Sequence, residues 1–137
     1  MKYVDTSAVL RLLFGEPGPA LALETGDVVA SSEILEVEGF RAIDRARLMN
    51  HLDDRETAVK RKELTDLIGM LDLLPVDRSV IDRAKGSFAV NVRSLDAIHV
   101  ATAEVLAAEA RAEVEFWTHD DRQRIAALSR GFRVKGV

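Results

Sequence analysis

The sequence predicts an α/β fold, an α/β/α sandwich whose central parallel β-sheet carries helices on both faces. Three observations point there. Short apolar runs at residues 2–4, 28–30, 73–76, 114–118 and 132–134 alternate with stretches rich in helix formers, and strands separated by helices are joined as parallel neighbours through crossovers. The longest helical stretch, 94–110, is small or apolar on almost every face, as a helix packed centrally against a sheet must be. With 137 residues, 47% hydrophobic and 31% charged, the chain has the size and composition of one globular domain spanning 1–137, with no linker, repeat or low-complexity tract.

Each element follows from local chemistry. Tyr3 and Val4 favour an extended strand, and Asp5-Thr6-Ser7 supplies N-cap chemistry for a helix carrying Val9, Leu10, Leu12, Leu13 and Phe14. That helix should stop at Gly15-Glu16-Pro17-Gly18-Pro19, which is dense in turn residues. A short helix over 20–25 then leads into a strand at 28–30, and Ser31 or Ser32 caps a helix running from Glu33 to about Asn50. Asp53 or Asp54 opens its partner, ending near Leu71, and the two are expected to form an antiparallel pair. Pro75 marks 73–76 as an edge strand or a strand start. Asp77 caps the next helix, which Gly86 ends; 94–110 follows, then the strand 114–118, a helix over 121–129 with Gly131 beyond its end, and the strand 132–134.

Several function classes recede on composition. The net charge of −4 opposes a mainly electrostatic nucleic-acid binder, unless bound cations offset acids gathered in one place. Without cysteine there is neither a disulfide framework nor a thiolate metal site. Asp5 and Arg11 interrupt any apolar core of a leader at the start, and no apolar run approaches a membrane span. A cytoplasmic protein with no membrane partner is expected.

The chemistry rests on acids. In an open α/β sheet, ligands bind beyond the carboxyl ends of the strands, where Asp5 sits directly after the first strand; Asp there is also an ordinary N-cap. Glu38 lies beside the apolar stripe of Ile34, Leu35 and Ala42, where an unpaired carboxylate is costly to bury. The competing reading turns Glu38 to solvent to pair with Arg41 or Arg45, a role better suited to Glu33 and Glu36. Gly39 beside it costs about 1 kcal/mol relative to alanine in a helix interior and would admit close approach of another backbone. Asp96, in a first turn after a Ser94 cap, heads an inward stripe of Val100, Ala103 and Ala107. His99, three residues on, is placed to hydrogen-bond it, a pair more often structural than catalytic. Of Asp120 and Asp121, which follow a strand, one caps the next helix and the other is free for chemistry.

Four carboxylates brought to one sheet edge would repel each other and be driven towards protonation unless a cation sat among them. Oxygen ligands without Cys or paired His select a hard ion, Mg²⁺ or Mn²⁺. Such an ion activates water and stabilises charge on a phosphodiester. Metal-dependent phosphoryl transfer is the expected chemistry.

Val4-Asp5-Thr6-Ser7, Val37-Glu38 with Arg41-Ala42, Ser94-Leu95-Asp96-Ala97-Ile98-His99-Val100-Ala101-Thr102-Ala103, and Thr118-His119-Asp120 together resemble the PIN-domain ribonucleases. In particular they resemble the VapC-type toxins of bacterial toxin–antitoxin pairs, in order, spacing and total length. The resemblance implies a PIN-like sandwich with the first strand central, and an acidic Mg²⁺ or Mn²⁺ site made by Asp5, Glu38, Asp96 and Asp120. Thr6 or Ser7 and Thr118 would support that site by hydrogen bonding. It further implies RNA cleavage by a metal-activated water, a homodimer, and inhibition by a cognate VapB-like antitoxin. His119 stands where an aromatic or small residue is commoner, and Gly39 where an apolar one is; neither change removes an acid. Asp120 rather than Asp121 matches by its offset from Thr118, which leaves Asp121 to cap the helix.

Arg41, Arg45, Arg93 and Arg122 flank these acids as candidate phosphate contacts. The basic run Lys60-Arg61-Lys62 reads instead as solvated surface paired with Glu56 and Glu63, and Trp117 as core. Three alternatives compete. A haloacid dehalogenase-like phosphatase would need an acid where Ser7 stands. A receiver-like signalling domain would need a second acid where Val4 stands and a late lysine. A PIN fold that only binds, with an idle site, differs from the enzyme in activity alone.

Overall fold

The computed structural model describes residues 1–19, 21 and 23–136. Its elements are β1 (Lys2–Val4), α1 (Thr6–Phe14), β2 (Val29–Ser32), α2 (Ile34–Leu48), α3 (Asp54–Ile68), β3 (Asp72–Leu74), α4 (Arg78–Ala84), α5 (Ser94–Ala110), β4 (Glu115–Trp117), α6 (Asp121–Ser129) and β5 (Arg133–Lys135). The five strands form one sheet in the order β3-β2-β1-β4-β5, every pair parallel. β1 is therefore central, and β3, with its following Pro75, is an edge.

Successive side chains of a strand point to opposite faces, and β1 shows the consequence. Val4 belongs to a core shared with Ala8, Val9 and Leu13 of α1, Leu35 and Ile43 of α2 and Leu64 of α3. Tyr3 belongs to a second core with Val100 and Ala103 of α5 and Ala126 and Ala127 of α6. The first three helices thus cover one face and α5 and α6 the other, while α4 packs on α5 through Val80, Ala101 and Val105. None of the helices among the described residues is long and apolar enough to cross a membrane.

The local signals set most boundaries. Asp5 caps α1 by accepting from the Ala8 N–H, and Gly15, at φ 64°, ends it. Asp53 and Glu56 form a reciprocal capping box on α3, and the Asp77 side chain accepts from the Val80 N–H on α4. Four expectations fail locally. β2 begins one residue later than expected and extends through both serines, so neither Ser31 nor Ser32 is the N-cap of α2; that position is Glu33. Ser31 instead donates from Oγ to the Val4 carbonyl at 2.7 Å, a polar tie inside a buried strand. Ser94 is the first helical residue of α5, not its cap. The short helix expected over 20–25 lies partly outside the described residues, at Ala20 and Ala22, and Leu21, Leu23, Glu24 and Thr25 are not helical.

Gly39 does not receive a neighbouring backbone. A Cβ there would lie 2.9 Å from Cδ2 of Leu64, so the glycine makes room for a buried leucine of α3. In the basic run, Lys60 pairs with Glu63 and donates to the Leu13 carbonyl, Lys62 pairs with Asp66, and Arg61 lies over the Phe40 ring. Glu56, expected as a partner, is used in the capping box.

Candidate active site

A cavity of about 550 Å³ opens where β1 ends, and Asp5, Glu38, Asp96 and Asp120 all line it. Four elements deliver them. Asp5 is the residue between β1 and α1; Glu38 is in the second turn of α2; Asp96 is in the first turn of α5; Asp120 follows β4. Because β1 and β4 are parallel neighbours in register, with Val4 opposite Trp117, the residues just beyond them emerge at the same edge.

Asp5 is fully enclosed and heavily hydrogen-bonded. Its Oδ1 accepts from the Ala8 N–H at 2.9 Å and from Ser7 Oγ at 2.7 Å, and its Oδ2 accepts from Thr118 Oγ1 at 2.6 Å. Burial pushes its carboxyl above the ordinary carboxylate range; His99 and the donors Thr118, Ala8 and Ser7 only partly counter this. Ser7 and Thr118 thus both donate hydrogen bonds to the Asp5 carboxylate. Ser7 Oγ also accepts from the His119 N–H at 2.8 Å, and Thr118 Oγ1 from the Asp120 N–H at 3.1 Å. The loop after β4 is thus tied to Asp5 and to the first turn of α1 through two hydroxyls.

Glu38 does not turn to solvent, and it pairs with neither Arg41 nor Arg45. Its Oε2 accepts from Thr6 Oγ1 at 2.5 Å and lies 2.8 Å from His99 Nε2. Burial works to raise its carboxyl, but the His99 contact, Thr6 and the charge of Arg93 outweigh that and hold it below the usual range. Glu33 accepts from the Val76 N–H rather than from an arginine. His99 is therefore Glu38's partner, not Asp96's. Asp96 Oδ2 accepts instead from Arg93 Nε at 3.1 Å, and Arg93 Nη2 lies 3.8 Å from Asp120 Oδ2.

The final pair of acids divides its roles differently from expectation. Asp120 caps α6, accepting on Oδ1 from the Arg122 and Gln123 N–H groups, while also lining the cavity. Asp121 is exposed and pairs with Arg124. One residue serves as both cap and wall of the cavity, leaving Asp121 outside.

Arg41, Arg45 and Arg93 line the cavity, whereas Arg122 does not. Arg41 pairs with Asp44, and among the described residues the Arg45 side chain has no hydrogen-bond or ion-pair partner. His99 and Gln123 also face the cavity while being almost wholly buried. Gln123 escaped the sequence reading because nothing local marks it out on α6. Trp117 is partly buried, packs against the first core and donates to Glu115, as a core residue.

The donor set suits a hard divalent cation, being all carboxylate oxygen. Two observations agree with that fit. Asp5 carries more burial than its donors offset, and a guanidinium already spans Asp96 and Asp120 as a positive charge between acids. Among the described residues the carboxylates are not drawn into a closed cluster of three ligands, so a cation would have to draw them together.

A profile of the PIN domain matches residues 2–128. Two relatives, both from Mycobacterium tuberculosis, align over nearly the whole chain. Ribonuclease VapC46 is 38% identical over 96% of this chain and 94% of its own length. Ribonuclease VapC47 is 33% identical over 96% of this chain and 93% of its own length.

Proposed function

The chain belongs to the PIN-domain family, and on that premise we propose that it is a VapC-type ribonuclease, the toxin of a toxin–antitoxin pair, hydrolysing RNA phosphodiester bonds internally. The observation that carries this reading is the meeting of Asp5, Glu38, Asp96 and Asp120 in one cavity rimmed by Arg41, Arg45 and Arg93. Acids at the floor suit a divalent ion, and cations at the rim suit a phosphate backbone.

In this reading Asp5, Glu38, Asp96 and Asp120 hold Mg²⁺ or Mn²⁺, which when bound supplies Lewis acidity for water activation and offsets charge on the phosphodiester. The protein's own groups do the rest. Ser7 and Thr118 fix the Asp5 carboxylate and Thr6 fixes that of Glu38. Arg45, whose side chain has no partner among the described residues, and Arg41, whose pair with Asp44 is exposed, line the cavity and would orient backbone phosphates. Arg93 keeps Asp96 and Asp120 facing one another across the opening. A VapB-like antitoxin that covers this cavity, and a homodimer, complete the proposal.

The test is cleavage of total cellular RNA by the purified chain with Mg²⁺ or Mn²⁺ against EDTA, with Asp5→Ala beside it. Metal-dependent cleavage, lost in the variant, is the expected result. Absence of cleavage by folded, antitoxin-free protein under both ions, on RNA that includes the cell's own transcripts, would instead favour a PIN fold that only binds.

A further inference from the structure

We propose that His99, backed by Tyr3, is the positioning residue for Glu38: it ties one carboxylate oxygen down so that the other is presented to the cavity. The inference rests on the reading of that cavity as a metal-dependent hydrolytic site and adds a residue that reading does not use.

A buried histidine is most often a satisfied core residue, and His99, at 1% exposure, is satisfied. What distinguishes it is where its hydrogen bonds go. Nε2 lies 2.8 Å from Glu38 Oε2 and 3.1 Å from Thr6 Oγ1, and Nδ1 lies 2.8 Å from the Tyr3 hydroxyl. An ionised carboxylate only accepts, so Nε2 carries a hydrogen and donates it to Glu38. A phenol both donates and accepts, so Tyr3 meets Nδ1 in either protonation state of the ring. Tyr3 itself cannot shift, being fully buried on the central strand and stacked on Phe116.

The line Tyr3, His99, Glu38 therefore runs from the middle of the sheet, through α5, to a side chain delivered by α2. Thr6, from α1, donates to the same oxygen, Oε2. Both donors converge on that atom, and among the described residues none donates to Oε1. A glutamate has three side-chain torsions to fix before it can serve as a ligand, and two donors on one oxygen fix them while leaving the second oxygen free. This is the relation that partners of metal-binding carboxylates commonly have to their ligand. The other acids have different means: Asp5 has Ser7, Thr118 and the Ala8 N–H, and Asp96 has Arg93.

Calorimetric titration of Mn²⁺ into the purified full chain, without RNA, tests this. His99→Leu should weaken Mn²⁺ binding by about 10- to 100-fold, the usual effect of removing such a partner. His99→Gln, whose amide can donate in place of Nε2, should recover most of the loss. In a Glu38→Ala background, His99→Leu should add nothing, because the carboxylate it positions is gone. A histidine that merely fills the core would lower the melting temperature alike in both backgrounds and leave Mn²⁺ affinity unmoved, and that result would overturn the inference. Should His99→Leu fail to fold, Tyr3→Phe removes only the supporting hydroxyl and should produce a smaller loss of the same kind; unchanged affinity there would count against the proposal. If the wild-type chain bound no Mn²⁺, the metal-site reading would fall first, and this inference with it.

Discussion

Replacing Asp96 by asparagine separates the fold from the chemistry. The substitution keeps the shape of the side chain and removes its charge, so no cavity forms. Asp96 Oδ2 loses its ion pair with Arg93, whose side chain is 78% exposed, an interaction worth about 0–1 kcal/mol at such exposure. The charge in the first turn of α5 also loses its favourable placement in the helix dipole, about 0.3–1 kcal/mol. No cap is lost, because the N-cap of this helix, Arg93, makes no side-chain cap hydrogen bond. Relief of repulsion from the neighbouring acids acts in the opposite direction. The metal-free variant should therefore lie within about 1–2 kcal/mol of wild type, a fall of a few degrees in melting temperature at most. Cleavage should fall by more than about 100-fold, since even indirect partners of a metal commonly cost 10- to 100-fold. A paired assay reads both quantities: thermal melts in EDTA and in Mn²⁺, and cleavage of a labelled RNA. Wild type should gain stability from the ion, about 2.7 kcal/mol at a concentration 100-fold above Kd, and the variant should gain little. Full cleavage by Asp96→Asn would refute the site assignment. A collapse of the melt in EDTA would show instead that Asp96 is a fold determinant.

Three further substitutions probe the surroundings. Gly39→Ala gains about 1 kcal/mol of helix propensity but sets a Cβ 2.9 Å from a buried Leu64 methyl, an overpacking cost of about 1–3 kcal/mol; urea melts should show a net loss of up to about 2 kcal/mol, smaller when Leu64→Val is added. Thr118→Val removes a donor to Asp5 and leaves burial less opposed, so the already raised Asp5 pKa should rise further. An acid with a raised folded-state pKa binds its proton more tightly when folded, so its charge opposes folding above that pKa and ceases to as pH falls through it. The variant should accordingly lose most stability relative to wild type at neutral pH and less in acid, and its pH midpoint for Mn²⁺ binding should move upward. Arg45→Ala, made in an Asp96→Asn background so that RNA stays intact, should weaken RNA binding and reduce the log–log salt slope by about 0.7, whereas Lys62→Ala, which breaks only an exposed pair with Asp66, should leave the slope unchanged.

What the sequence made legible was mostly what is decided within a few residues. Asp5 and Asp77 cap the helices that follow them, and the bounds of α5 and α6 were readable from composition and turn residues alone. The errors fall where a distant partner decides. Ser31 and Ser32 are natural caps, yet their parallel register opposite Leu73 and Leu74 of β3 holds them in a strand. Either Asp120 or Asp121 satisfies the local rule for a cap; the choice is made by Thr118 Oγ1, which anchors the Asp120 N–H and is itself held by Asp5 from the far end of the chain. His99 shows the same limit in the site. Spacing along α5 offers it Asp96, three residues before, but its contacts are Glu38, Thr6 and Tyr3, 61, 93 and 96 residues away.

Those long-range ties also explain how an acidic chain can present four carboxylates in one cavity and remain folded. Each acid is restrained by a different device: hydroxyls and a backbone N–H on Asp5, an imidazole and a hydroxyl on Glu38, an arginine on Asp96, and helix N–H groups on Asp120. On Asp5 burial prevails over its donors. A cation entering the cavity would relieve that imbalance, so its binding free energy should include electrostatic strain already present in the folded protein. The charge that burial disfavours is then the same charge that would favour a bound cation. Arg41 and Arg45 line the same cavity outside this network of restraints, and their positive charge partly offsets locally the net charge of −4.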